Sequence, residues 1–164
     1  MFEPLDAVDA RIVESLQADG RATQMELAKE VGLSQPAVAE RIRKLEERGV
    51  IVGYAARVEA SRLGKDITAF IGVGIEHPKF FDGFAKRVLA MRDVLECHRV
   101  AGTDSYLLKV KTANTSSLDA LLVDGLRTIP GVTRTQTTIV LSSIKESSLV
   151  HVEPEALEVR HARR

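Results

Sequence analysis

Three groups of residues in this chain have side chains and spacing that could do chemistry. The first is Gln35, Arg41, Arg43, Lys44 and Arg48, one amide and four cations in a short stretch that also holds Ser34 and Ala37. An amide can pair with an adenine edge, a guanidinium with guanine or phosphate, and an ammonium with phosphate. The second is the run Gly102-Thr103-Asp104-Ser105-Tyr106. Gly102 frees backbone N–H groups, Thr103 adds a hydroxyl, Asp104 a carboxylate, and Tyr106 a ring and a phenol. Donors for a carboxylate and an acceptor for an ammonium group together match a zwitterion. Thr135 and Thr137 lie two apart, so on a strand they share a face and could add hydroxyls to that site. The third group is Cys97-His98, a nucleophile next to a base. Adjacent strand residues point to opposite faces, so the two cannot form a dyad, and no third group stands out. His77, His98, His151 and His161 show no metal-ligand spacing with Cys97 or with carboxylates. Neither catalysis, nor a metal, nor a cofactor is expected.

The first group needs a helix to present it. Val8, Ile12 and Leu16 recur at four-residue steps, which predicts an amphipathic helix over 6–18. Thr23 with Glu26 three residues on reads as a capping box opening a second helix that ends near Val31. Gly32 supplies the left-handed residue that stops it. Ser34 caps a third helix that tolerates Pro36 in its first turn and buries Val38, Ile42 and Leu45, and Gly49 closes it. Helix, short helix, glycine turn, helix is the helix-turn-helix order, whose last helix enters the major groove. With Val38, Ile42 and Leu45 inward, Gln35, Ala37, Arg41, Arg43, Lys44 and Arg48 face outward. Ser34 and the N–H groups of the first turn offer a phosphate site. The alternation in 50–58 suggests a short strand or wing.

Beyond the connector at 60–64 the pattern changes. Residues 67–75, 94–100, 106–111 and 132–144 read as strands, and 78–92 and 116–127 as helices, the latter with Leu118, Leu121, Leu122 and Leu126 on one side. The order βαββαβ is a ferredoxin-like unit, and Gly102–Tyr106 falls in its hairpin loop. Such a unit leaves one sheet face open, and pairing with a second copy covers it most simply. Phe70, Gly72 and Gly74 alternate on the first strand, where the glycines would allow close approach of another sheet.

Composition limits the partners without naming them. The chain has 164 residues with 45% apolar and 28% charged, and a net charge of +0, so any attraction to nucleic acid must come from local charge. No apolar run approaches the ~20 residues of a membrane span, and residues 1–6 lack a signal-peptide pattern. The one cysteine, Cys97, excludes an internal disulfide and fits a reducing cytoplasm.

The run Leu5-Asp6, Asp9, Ile12 and Leu16 to Arg21 resembles the opening of leucine-responsive/asparagine-regulator (feast/famine) transcription factors. Glu26-Leu27-Ala28, Val31 to Ser34, Val38, Arg41-Ile42, Leu45-Glu46, Gly49 to Ile51 and Gly53-Tyr54 continue the resemblance at the same spacing, and Gly131-Val132, Thr135, Thr137, Val140-Leu141 and Lys145 extend it to the last strand. Thr103 and Ser105 depart from the acidic residues common in that family's hairpin loop. The resemblance implies a sequence-specific regulator of transcription with an amino-acid effector and dimers that assemble into tetramers or octamers. The fold class is then α+β: a winged helix-turn-helix (1–53), a linker strand (54–65), a ferredoxin-like effector and oligomerisation domain (66–146) and a tail (147–164). The expected partners are double-stranded DNA, an amino acid and further copies of the chain. An architectural DNA binder without an effector is the alternative.

Overall fold

The computed structural model describes residues 4–152 and divides into two compact units, one made of the described parts of Met1–Ala56 and Glu146–Arg164, the other of Arg57–Lys145. In the first unit α1 (Ala7–Ala18) opens on Asp6, whose carboxylate accepts from the Asp9 N–H at 2.7 Å. The capping box of α2 (Gln24–Val31) forms as its residues predict, with Thr23 N–H donating to Glu26 at 2.7 Å. Gly32 ends α2 at φ 70°, a conformation that a Cβ would strain. Ser34 caps α3 (Gln35–Glu47). Ile12, Leu27, Ala28, Val38, Ile42 and Leu45 form one buried cluster that fixes the three helices together.

Two expectations for this region need correction. Residues 50–58 form no strand, so the wing is absent from the single chain. The N–H groups of Val50 and Ile51 are spent on Leu45 O, and no facing strand exists in this unit among the described residues. The linker expected as a strand over 54–65 instead carries a short 3₁₀ helix (Ala60–Leu63) closed by Gly64. The described part of the tail is tied to α1. Gln17 clamps Val150 from both sides, its amide donating to Val150 O at 2.8 Å and accepting from Val150 N–H at 2.7 Å. Residues 153–164, including His161, lie outside the described residues.

The second unit is a four-stranded antiparallel sheet in the order β2-β3-β1-β4, with β1 (Ile67–Ile75), β2 (Val94–Arg99), β3 (Tyr106–Thr112) and β4 (Val132–Ile139). A 3₁₀ turn at Pro78–Phe80 leads into α4 (Phe81–Leu89). After β3, α5 (Thr115–Ala120) continues through a π turn at Leu121–Gly125 into a final 3₁₀ turn. The π turn breaks the single α-helix expected over 116–127, yet both Leu118 and Leu126 are buried. These helices cover one sheet face, burying Ala69, Ile71 and Val73 of β1 with Tyr106, Leu108 and Val110 of β3. The last strand is shorter than its apolar residues suggest. Its partner β1 begins at Ile67, so pairing stops after Val140 N–H reaches Thr68 O, and Leu141 and Ile144 stand exposed.

Candidate functional site

The third helix has the stripe its sequence implies, with Val38, Ile42 and Leu45 inward and Gln35, Arg43, Lys44 and Arg48 exposed. Ser34 is spent on its cap, its hydroxyl accepting from the Ala37 N–H at 3.4 Å, and Ala37 itself is half-buried. Arg41, expected among the outward residues, turns back toward α1. Its guanidinium donates to Asp6 at 2.6 Å and Asp9 at 2.7 Å. The reason is positional: Arg41 sits at the edge of the buried stripe beside α1, where Asp6 and Asp9 lie three apart on the facing side. The two aspartates raise the Arg41 pKa further above its ordinary value. For Asp6, burial acts upward but is outweighed by the Asp9 N–H and by Arg41, which hold its carboxyl below the usual range.

The exposed cations of α3 are also paired. Arg43 donates to Glu40 at 2.7 and 2.8 Å and pairs with Glu47, and Lys44 lies 3.6 Å from Glu40. Arg43 draws the Glu40 carboxyl down to about 2. A hollow beside α3 is lined by Asp9, Glu40 and Glu47 together with Arg41, Lys44 and Arg48, an even balance of charge. A phosphate approaching this helix therefore competes with carboxylates already in place, in keeping with the neutral net charge.

In the second unit the hairpin loop between β2 and β3 is pinned to the sheet. Ser105 N–H donates to Val73 O at 2.8 Å, Val100 N–H donates to Ser105 O at 3.1 Å, and the Ser105 hydroxyl accepts from Ile75 N–H at 3.1 Å. Asp104 lies over Gly72 on the open face and accepts from Arg134 at 2.6 Å, while Arg134 also donates to Thr103 O at 3.0 Å. The space at Gly72, expected to admit a second sheet, is thus filled by the chain's own Asp104, since a Cβ there would collide with that carboxylate.

The six candidate residues of the loop and β4 do not converge on one face. Tyr106 is buried on the helix side, its ring 4.7 Å from Phe84 and edge-on to Phe81 at 5.6 Å. Thr135 and Thr137 pair with Val73 and Ile71 and so face the helices as well, with Thr135 accepting from Arg127 at 3.1 Å. Asp104 faces the other way, Thr103 joins it through its carbonyl, and Gly102 lies in the loop beside them. The strand parity of Tyr106, Thr135 and Thr137 decides their side; Asp104 precedes β3 and follows the loop's own course. Arg134 was missed by the sequence reading, although its alternation with Thr135 already placed it on the opposite face. Asp6 and Asp9 were missed as partners of Arg41, and their spacing on α1 was the available signal.

Cys97 and His98 do point to opposite faces, as their register with Leu108 and Leu107 requires. Partial burial pushes the Cys97 thiol up, which keeps it from being an activated nucleophile. His98 lies 3.3 Å from Glu96, and His77 caps the turn at Pro78. Among the described residues no group of three or more His, Cys, Asp or Glu side chains could hold a metal ion, and no helix is long and apolar enough to cross a membrane.

The profile of the AsnC-type helix-turn-helix domain matches residues 5–46, and that of the Lrp/AsnC ligand binding domain matches residues 68–150. The chain belongs to the Lrp/AsnC family. It is 41% identical to the HTH-type transcriptional regulator LrpA of Mycobacterium tuberculosis over 143 residues, covering 87% of this chain and 94% of the relative. It is 36% identical to the leucine-responsive regulatory protein of Klebsiella pneumoniae, covering 88% of this chain and 89% of the relative. A transcriptional regulator of Neisseria meningitidis, solved as a complex with L-Met, superposes with a TM-score of 0.86 at 30% identity, covering 93% of this chain and 99% of that one. As an Lrp/AsnC member the chain is a DNA-binding regulator of transcription, with the helix-turn-helix in its first unit and the ligand-binding domain in its second.

Proposed function

We propose that this regulator answers to a free amino acid, bound at the hairpin loop of the second unit by Gly102, Thr103 and Asp104, with Tyr106, Thr135 and Thr137 shaping the sheet beneath. The observation that carries this reading is the superposition, over nearly the whole chain, on a relative solved with L-Met. The Asp104 carboxylate fits an amino acid's ammonium group. DNA is read by α3, with Gln35 and Ala37 nearest the base edges, Ser34, Arg43, Lys44 and Arg48 toward phosphates, and Arg41 setting the helix on α1. The smallest stable unit is a homodimer that assembles into tetramers or octamers. The open sheet face leaves Phe70 37% and Leu107 38% exposed, apolar surface that a second copy would cover.

Calorimetric titration with leucine, methionine, asparagine, lysine and arginine tests the effector, with saturable binding of at least one of them at millimolar concentration as the expected result. The DNA reading expects Lys44→Ala to lower the slope of log affinity against log salt by about 1. Light scattering should give an even multiple of the chain mass, from an interface well above ~1,200 Å². One observation favours a second reading, an architectural DNA binder without an effector: Asp104 is already satisfied by Arg134 within the chain. If no amino acid binds the parent protein, that second reading takes over.

A further inference from the structure

One stripe of α3 runs along the open hollow described above. Ala37, Glu40, Arg41, Lys44 and Arg48 follow one another at helical spacing, so they share a face, and together they border about 500 Å³ of space. The early part of this stripe holds few groups able to reach a base edge. Ala37 ends in a methyl and is half-buried, and Arg41 is committed to Asp6 and Asp9. The polar side chain that remains there is Glu40, 47% exposed. Its carboxylate is held in a fixed orientation. Arg43 donates to one oxygen from Nε at 2.8 Å and to the other from Nη2 at 2.7 Å, and its Nη1 is tied to Glu47. A carboxylate gripped by such a fork keeps further lone pairs for a donor in front of the helix. The hydrogen bonds from Arg43 draw its pKa down to about 2, so the group is ionised and can only accept.

We propose that Glu40 is a specificity-determining residue of this regulator, accepting a hydrogen bond from the amino group of a cytosine in the major groove while Arg43 positions it. The inference rests on the reading of α3 as the helix in the groove. Phosphate repels an anion on that helix, so its favourable partners are the amino groups that bases present, N4 of cytosine and N6 of adenine. Adenine flanks N6 with two acceptors, its own N7 and O4 of the paired thymine, and both oppose a carboxylate. Cytosine has an acceptor on one side only, O6 of the paired guanine. A thymine or guanine in its place turns acceptors toward Glu40 and leaves the carboxylate without a partner. Wrong bases are therefore rejected by repulsion as well as by a missing hydrogen bond. Lys44, one turn further along the stripe and 3.6 Å from Glu40, offsets the cost of bringing an anion to DNA.

The test compares the full-length parent with Glu40→Ala, Glu40→Gln and Lys44→Ala by fluorescence anisotropy. The probes are the duplex that the parent recovers most strongly from a random-sequence pool and versions of it with each base pair replaced in turn. For the parent, replacing at least one C·G pair should cost roughly tenfold in affinity. Glu40→Ala should shrink the loss at that pair to less than about twofold and leave the losses at other pairs as they are. Glu40→Gln should prefer A·T there, since an amide pairs with both N6 and N7 of adenine. If Glu40 does no more than occupy Arg43 and Lys44, both variants will bind every duplex more tightly by a common factor and keep the parent's profile of losses. That result overturns the proposal. So does a Glu40-dependent position that demands a base other than cytosine, and so does a parent that recovers no preferred sequence. Lys44→Ala separates these outcomes from failure of the α3 reading. A salt slope lowered by about 1 keeps α3 in the groove whatever Glu40 does, whereas an unchanged slope with parent-like Glu40 profiles removes the helix from it.

Discussion

Two arginines, one in each unit, hold an aspartate at the same 2.6 Å, and the surroundings of the two pairs set them apart. Arg41 on α3 grips two carboxylates of another helix, and one of them, Asp9, is only 14% exposed. The helices it joins already share a buried core, so the ion pairs cross a contact that hydrophobic burial has closed. Arg134 grips one carboxylate and one carbonyl of a loop, above two glycines and open to water. Without Arg41 the shielded Asp9 would be left with no cation, whereas the more exposed Arg134 side chain can turn to water if its partner is lost. The same chemistry thus ties two helices together in the first unit and ties a loop to a strand in the second.

The contrast can be broken first at the brace. Arg41→Ala leaves Asp9 shielded and without its cation, and should lower the stability of the N-terminal unit by about 1–2 kcal/mol in urea denaturation. A loss indistinguishable from zero would reduce Arg41 to a surface residue. Acid probes the same brace more gently. The folded Asp6 carboxyl titrates below its ordinary 3.8, so its stabilisation is present above that value and is lost as pH falls through the lower folded value. The acid limb of the stability curve should therefore be steeper in the parent than in Asp6→Asn, and identical limbs would contradict the assignment. At the Asp104–Arg134 pair, Arg134→Gln should change stability by less than ~0.5 kcal/mol, since the arginine is 46% exposed. A destabilisation as large as that of Arg41→Ala would erase the distinction. The smallest effect is local: Gln17→Ala should speed hydrogen exchange at the Val150 amide without a measurable change in global stability. Unchanged exchange there would mean that the clamp does not hold the tail in solution.

Much of the fold was legible because it rests on local rules. The caps at Thr23 and Ser34, the left-handed Gly32 and the stripe Val38-Ile42-Leu45 each lie within one or two helical turns, and short-range sterics and hydrogen bonding settle them. The alternation of Phe70, Gly72 and Gly74 separated the two faces of β1, whereas Tyr106 of β3 was read on the wrong face. The misjudged segments depend on partners distant in sequence. Residues 50–58 have strand composition but pair with no strand among the described residues, and 140–144 run past the point where β1 can accept them.

The site divides along the same line. Residue types alone pointed to α3 for nucleic-acid chemistry and to the loop before Tyr106 for the charge a small polar ligand needs. Only the tertiary structure decided which charges meet. Asp9 reaches Arg41 across 32 residues, and Asp104 reaches Arg134 across 30, through packing of elements that no local pattern records. A side chain's type and face follow from its own neighbours in the chain. Its partner follows from where the core brings another element, because burial of apolar surface sets that placement and the charges then settle into whatever neighbourhood results.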